Sequence, residues 1–361
     1  MRGTRKHTRA ELRDAFDRLY ASVSVDADSV SVETKRAQLA DALRLVAEVL
    51  REPSFPANEF EELKRALLTS AESRRSDPAA ISAERLSRHL TPYPRGHWLE
   101  PKSTEERIGE LNAATIEDAK RCYADLVGAS RADFVSVGDF DPDAVAALVE
   151  ELFGDWKSPH PFTRIPARHF ERPPLEEEVR TPDKANANLR AGVNLKLRDD
   201  HPDFPALVLG SYLLGGNSAA RLPLRVREKD GLSYSTYAHF SASAQDESAS
   251  FGVAAIFAPQ NKARVETAIR EELERALKDG FPEAEFATAR KGLLEARRLA
   301  RAQDRSLVDR LSNYLFIGRT FAWDIELERR IAALTANEVR DALRRHLDPA
   351  KLSVLKAGDF R

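Results

Sequence analysis

Phe281-Pro282-Glu283-Ala284-Glu285-Phe286, running into Arg290-Lys291-Gly292-Leu293-Leu294, repeats an earlier stretch of the chain. Phe55-Pro56-Ala57-Asn58-Glu59-Phe60 leads in the same way, without a gap, into Lys64-Arg65-Ala66-Leu67-Leu68, 226 residues upstream. A second pair keeps the order. Thr115 to Phe140 closes on Val137-Gly138-Asp139-Phe140, and Thr335 to Phe360 closes on Ala357-Gly358-Asp359-Phe360, an offset of 220. Two ordered matches at nearly one offset predict two homologous domains in tandem. The 361 residues are enough for two such cores. Between them Pro159, Pro161, Pro166, Pro173 and Pro174 interrupt any hydrophobic period, as in a stiff extended linker. The expected division is residues 1–157, a linker at 158–177, and residues 178–361.

The local patterns give an α+β class, each domain an antiparallel sheet packed against several helices. In the first, Thr8 and Glu11 form a capping box opening a helix at 8–19. Alternating strands at 21–25 and 29–32 flank an Asp-Ala-Asp turn. Helices are expected at 36–50, 56–76, 79–90 and 115–126, a strand at 133–137, and a helix at 141–153 behind Asp141-Pro142. The second domain predicts strands at 188–195, 233–243, 248–257 and 352–357. Its helices fall at 204–214, 262–279, 283–303, 306–317, 322–332 and 336–346. Aligning the copies sets Met1 opposite residue 227, so strand 188–195 and helix 204–214 have no counterpart. The first domain is therefore expected to lack its leading strand and helix and to expose sheet edges and apolar surface. A partner chain, a dimer mate or a swapped strand is expected to cover them.

Lys and Arg number 56 against 58 Asp and Glu, a net charge of −2. That balance argues against nucleic acid or an anionic membrane as the main partner. The single cysteine, Cys122, excludes an internal disulfide and a thiolate metal cluster, and its helical context predicts a buried, inert thiol. No run approaches 18 apolar residues, so no membrane insertion is expected, and Met1 to His7 lacks the apolar core of a signal peptide.

Leu213-Leu214-Gly215-Gly216-Asn217-Ser218-Ala219-Ala220-Arg221-Leu222 runs into Arg227-Glu228-Lys229-Asp230-Gly231-Leu232-Ser233-Tyr234-Ser235. This resembles the "GG-x-x-SRL…REK-x-GL-x-YS" stretch of the pitrilysin/insulinase family of zinc metallopeptidases. Val137-Gly138-Asp139-Phe140-Asp141 with Leu152-Phe153-Gly154-Asp155-Trp156 resembles the family's "GD-x-D … FG-x-W" domain ending. Gly3-Thr4 resembles the "GT" that follows its metal-binding helix. The resemblance covers essentially the whole chain. It implies homologous α+β domains, two per half, the halves closing over a peptide. One half holds zinc on an H-x-x-E-H helix; the other has lost that motif and contributes substrate contacts.

The present chain resembles the second kind. Metal chemistry of this type needs two histidines one helical turn apart with a carboxylate in reach. His7, His89, His97, His160, His169, His201, His239 and His346 offer no pair four apart. Glu72 aligns with the family's third zinc ligand, but Arg65 stands where a glutamate is expected seven residues earlier, so Glu72 reads as a solvated helix carboxylate. No metal is expected on this chain, zinc being carried by the partner half. Asp199-Asp200-His201 reads as capping and turn-forming.

Arg227 and Tyr234 match a pair that, by the resemblance, reaches toward the substrate. A guanidinium and a phenol can both donate to a carbonyl oxygen as it becomes an oxyanion. Gly215, Gly216 and Gly231 support their loop, and no phosphate-cradle pattern is present. Arg297, Arg301 and Arg305, with Arg298, form a basic stripe expected to be a solvated helix face. The leading expectation is a non-catalytic half, inactive alone, that completes a peptide-binding chamber for a zinc-bearing partner, acting on peptide or unfolded protein. The alternative is a silent structural or binding subunit with no part in proteolysis. Export to a bacterial periplasm, as in relatives of this organisation, would need a signal upstream.

Overall fold

The computed structural model describes residues 1–360. They form two compact units, Met1–Ser70 with Ile108–Arg164, and Ala71–Arg107 with Ile165–Arg361.

In the first unit, α1 (Arg9–Arg18) is opened by the predicted capping box, the Thr8 hydroxyl accepting from the Glu11 N–H. Strands β1 (Ser22–Val25) and β2 (Val30–Glu33) pair antiparallel as a two-stranded sheet. Then come α2 (Leu39–Arg51) and α3 (Ala57–Arg74), which runs from the first unit into the second. After α4 (Pro78–Leu90), helix α5 (Thr104–Ala113) returns the chain, followed by α6 (Ile116–Leu126) and α7 (Pro142–Phe153). Leu12 and Phe16 of α1 meet Val46 and Val49 of α2, with the hairpin valines packed on them. Leu43 packs with Val145 and Leu148 of α7.

Three local expectations are corrected here. Residues 133–137 form no strand and join neither sheet. Helix α5, which the periodicity missed, occupies a stretch left unassigned. Cys122 is exposed; Tyr123 turns inward instead, its hydroxyl donating to the Leu50 carbonyl at 2.5 Å.

The second unit is built on a five-stranded sheet in the order β3-β7-β4-β6-β5. Its elements are β3 (Glu176–Arg180), β4 (Ala187–Leu195), α8 (Phe204–Gly215), β5 (Ser233–Ala242), β6 (Ala249–Phe257), α9 (Lys262–Asp279), α10 (Glu283–Ala300), α11 (Asp304–Ile317), α12 (Phe321–Ala333), α13 (Ala336–His346) and β7 (Ser353–Gly358). The sheet is mixed rather than purely antiparallel. Strand β3, at the end of the Pro-rich stretch, adds parallel to the outer edge of β7.

Period-two alternation gives the sheet two different faces. Ala187, Leu189, Ala191 and Leu195 of β4, with Ala249, Phe251, Val253, Ala255 and Phe257 of β6, face the helix layer. There α8 is apolar all round, with Leu207, Leu209, Leu213 and Leu214 fully buried, each worth about 1.5–3 kcal/mol of burial. The opposite face of β4 and β7 carries α4. Ser82 donates to the buried Asn188 amide oxygen at 2.8 Å, and Asn194 donates to the Leu90 carbonyl at 2.6 Å. Residues 71–107 therefore pack with the second unit, although the sequence division counted them with residues 1–157.

The basic stripe is not a solvated face. Arg297 and Arg301 of α10 converge with Arg310 and the Tyr314 hydroxyl of α11 on Asp324 of α12, a carboxylate only 2% exposed. Glu328, one turn on, takes Arg297 and Arg301 as well. Of the predicted stripe, Arg298 and Arg305 are exposed.

Candidate substrate-contact site

Helix α8 ends at Gly215, whose missing side chain is required: a Cβ there would overlap the backbone nitrogen of Ala238 in β5. Gly216 caps the helix, its N–H reaching the Tyr212 carbonyl at 3.1 Å. Asn217 then turns the chain by accepting from the Ala219 N–H at 2.9 Å. Arg221, 8% exposed, clamps the loop to the repeat stretch at the start of α10. It binds Glu285 through Nε and Nη2 at 2.8 and 3.0 Å, reaches the Gly280 carbonyl at 2.8 Å, and lies 4.4 Å from the Phe281 ring centroid.

Residues Pro223–Lys229 continue as a π-helical turn, its wider loop fastened by Arg225 to Asp230 and Glu271. The Asp230 N–H reaches the Arg225 carbonyl and the Gly231 N–H the Arg227 carbonyl, at 3.1 and 3.2 Å. Gly231 takes φ +60°, the left-handed conformation that lets the turn deliver the chain to β5. Strand β5 begins with a bulge. Ser233 pairs with Phe257 and Ser235 with Ile256, leaving Tyr234 as the extra residue. The Ser233 hydroxyl secures the distortion, lying 2.7 Å from both the Ser235 and the Ile256 carbonyl oxygens and donating its one proton to either.

The two predicted contact residues thus stand on one short turn. Tyr234 is 67% exposed, and the Arg227 side chain is 55% exposed, its Nε 3.4 Å from Glu228. Among the described residues no hydrogen bond joins them. Strand β5 is the edge of the sheet, so its outer backbone groups have no strand partner. The turn therefore offers a guanidinium, a phenol and an open strand edge to one incoming chain.

The residues present do not fit a catalytic zinc. Glu72 is exposed and paired with Arg75 at 2.7 Å. Among the described residues one set of metal-capable groups comes together, His201, Asp203 and His346, within 4.8 Å. Its members already partner one another and Arg345. Asp203 accepts two bonds from Arg345, at 2.9 and 2.7 Å, and sits 2.9 Å from His346 Nε2. His201 Nδ1 accepts from the Asp203 N–H at 3.0 Å. Arg345 above all, against partial burial and with help from His346, holds the Asp203 carboxyl down to about 2. Asp199 lies in the expected turn and is also a buried acid gripped by Arg319.

Sequence reading proposes Arg227, Tyr234 and the three glycines of the loop. It quoted Arg221 without a role; the signal available was an arginine between apolar residues, which burial must pair.

Residues 113–293 match the family described as the peptidase M16 inactive domain. A Helicobacter pylori protein named non-peptidase homolog YmxG is 23% identical over 319 residues, covering 85% of this chain and 69% of that one. The probable inactive metalloprotease YmfF of Bacillus subtilis is 25% identical over 262 residues, 65% of this chain and 59% of its own length. Among solved structures, the peptidase M16 inactive domain from Pseudomonas fluorescens superposes with a TM-score of 0.83 at 22% identity, covering 99% of this chain and 85% of that one. The periplasmic protease PqqL from Escherichia coli superposes with a TM-score of 0.72 at 17% identity, and 99% of this chain spans 39% of it. The α+β fold, the lost zinc motif and these likenesses agree: this chain belongs to the peptidase M16 inactive-domain family.

Proposed function

We propose that this chain is the non-catalytic half of a pitrilysin-type metallopeptidase, closing a peptide-binding chamber whose zinc sits in a partner half. The observation that carries the reading is the bulge at Tyr234. A sheet edge whose bulge leaves one phenol exposed, just after the turn that carries Arg227, suits meeting a ligand, since bulges re-aim side chains next to active sites. An extended peptide can add to the open edge of β5 through its backbone while Arg227 and Tyr234 donate to the carbonyl under attack. Inactivity alone fits the family to which the chain belongs and the relatives named as non-peptidase or inactive. The partner half belongs to the same longer chain or to a separate subunit.

The test is reconstitution. The purified chain should cleave no peptide and hold no stoichiometric zinc, and adding a zinc-bearing half should produce cleavage. A partner half that works equally well without this chain would return it to a structural or binding role.

A further inference from the structure

Arg190 stands in the middle of β4, on the sheet face that α4 covers only in part. Directly beside it in register come Ala254 of β6 and then Tyr237 of β5, while His239 sits opposite Gly252. The short residues at 252 and 254 leave room for longer neighbours to lie over β6. A Cβ at 252 would overlap the His239 ring. Arg190 and His239 are close enough for the guanidinium to act on the imidazole, and the Tyr237 and His239 rings lie 6.2 Å apart.

Arg190 is half-buried, its Nε is fully buried, and among the described residues it has no hydrogen-bond or ion-pair partner. In this unit Arg221, Arg297, Arg319 and Lys356 each have a carboxylate, and the half-buried Arg290 and Arg330 donate to main-chain carbonyls. Toward β6 and β5 the residues sharing this face are Asn188, Asn194, Ser235, Ser241 and Ser250, which supply no negative charge, and on the other side Glu177 of β3, in the same register row across Leu355 of β7, is paired with Arg85. A half-buried guanidinium without an anion is unfavourable unless one arrives.

We propose that Arg190, with Tyr237 and His239, forms a carboxylate-binding subsite on the open part of the sheet face, where the guanidinium takes a peptide carboxylate as a two-pronged pair. The charge favours a monoanion. Partial desolvation first, and Arg190 second, lower the His239 pKa, which works against a second positive charge at the site. A planar guanidinium matches a carboxylate two-on-two, and Tyr237 and His239 supply neutral donors at its rim. The inference rests on the peptide-chamber reading only for the source of the carboxylate, a chain terminus or an acidic side chain.

The experiment has two arms. In the first, acetate and acetamide are titrated separately into the whole chain while the side-chain ¹H–¹⁵N resonances of Arg190 are followed, assigned by their loss in Arg190→Gln. A saturable shift with acetate and none with acetamide is expected. Equal responses to the two, or no saturation, overturn the subsite whether or not a zinc-bearing half exists. In the second, labelled unstructured decapeptides are compared: neutral with a free C-terminus, neutral and amidated, and amidated with one internal glutamate. One carboxylate form should bind about tenfold more tightly than the neutral amide, and Arg190→Gln should erase the difference. The better of the two forms identifies the source. Discrimination that survives Arg190→Gln, or no discrimination at all, contradicts the proposal. Should Arg190→Gln unfold, His239→Phe at the exposed rim serves in its place, with a weakened preference expected and an unchanged one counting against the site. Failure of reconstitution alone would leave the acetate result standing, so the two readings fail separately.

Discussion

Asp324 shows how much one buried charge can organise. Three arginines and a tyrosine from two helices end on its carboxylate. The Tyr314 hydroxyl is raised to about 12 by burial and by its bond to Asp324, so it stays a neutral donor. Asp324→Asn keeps the shape and removes the charge, and should destabilise the second unit by about 3 kcal/mol in urea unfolding. Asp203 gives a pH signature. Its folded pKa, about 2, lies below an ordinary value of 3.8, so its contribution is present above pH about 4 and is lost as pH falls toward about 2. Asp203→Asn should flatten that acid limb of the stability curve by on the order of 1–2 kcal/mol. The sequence could not show either pairing. Arg297 and Arg301 read as a stripe at i, i+4, which describes a helix face but not the helix packed on it. That partner, Asp324, lies 27 positions from Arg297, beyond the reach of any helical periodicity.

Elements were more legible than pairings. The capping box at Thr8 sets a helix start that the structure keeps, because the box is local chemistry, and the structure adds boxes at Thr115 and Thr335. Strands β4, β5, β6 and β7 lie where alternation placed them. Residues 133–137, expected as a strand, join neither sheet, and a strand exists only with a neighbour to bond. Strand β3 was missed for the converse reason: Glu176-Glu177-Glu178 reads as solvated, yet Lys356, Arg85 and Lys262 pair the three carboxylates at this edge. Lys356 itself is buried, and burial works against its charge, but Glu266 and Glu176 outweigh that and raise its pKa. At the site, the contact between the end of α8 and β5 has no room for a methyl group at Gly215. Gly215→Ala should lower stability by about 1–3 kcal/mol through overpacking, measured by thermal unfolding.

At the scale of the whole molecule, the second of the two compact units carries the loop and strand that the family resemblance singles out. Motif residues scattered over 213–235 meet on one turn because α8 ends against β5, Arg221 clamps the loop to α10, and Gly231 reverses the chain. That convergence was readable from the motif, whereas the bulge that exposes Tyr234 was not, since it arises from register against β6. The central claim is that this turn touches a substrate while another half cuts it. The most direct test is kcat/KM for peptide cleavage by a zinc-bearing half reconstituted with this chain, comparing the native form with Arg227→Ala and Tyr234→Phe. Losing one oxyanion donor should reduce kcat/KM about 100-fold for Arg227→Ala and by a smaller factor for Tyr234→Phe, with zinc content unchanged. Undiminished kcat/KM in both variants, with the complex intact, would contradict the account.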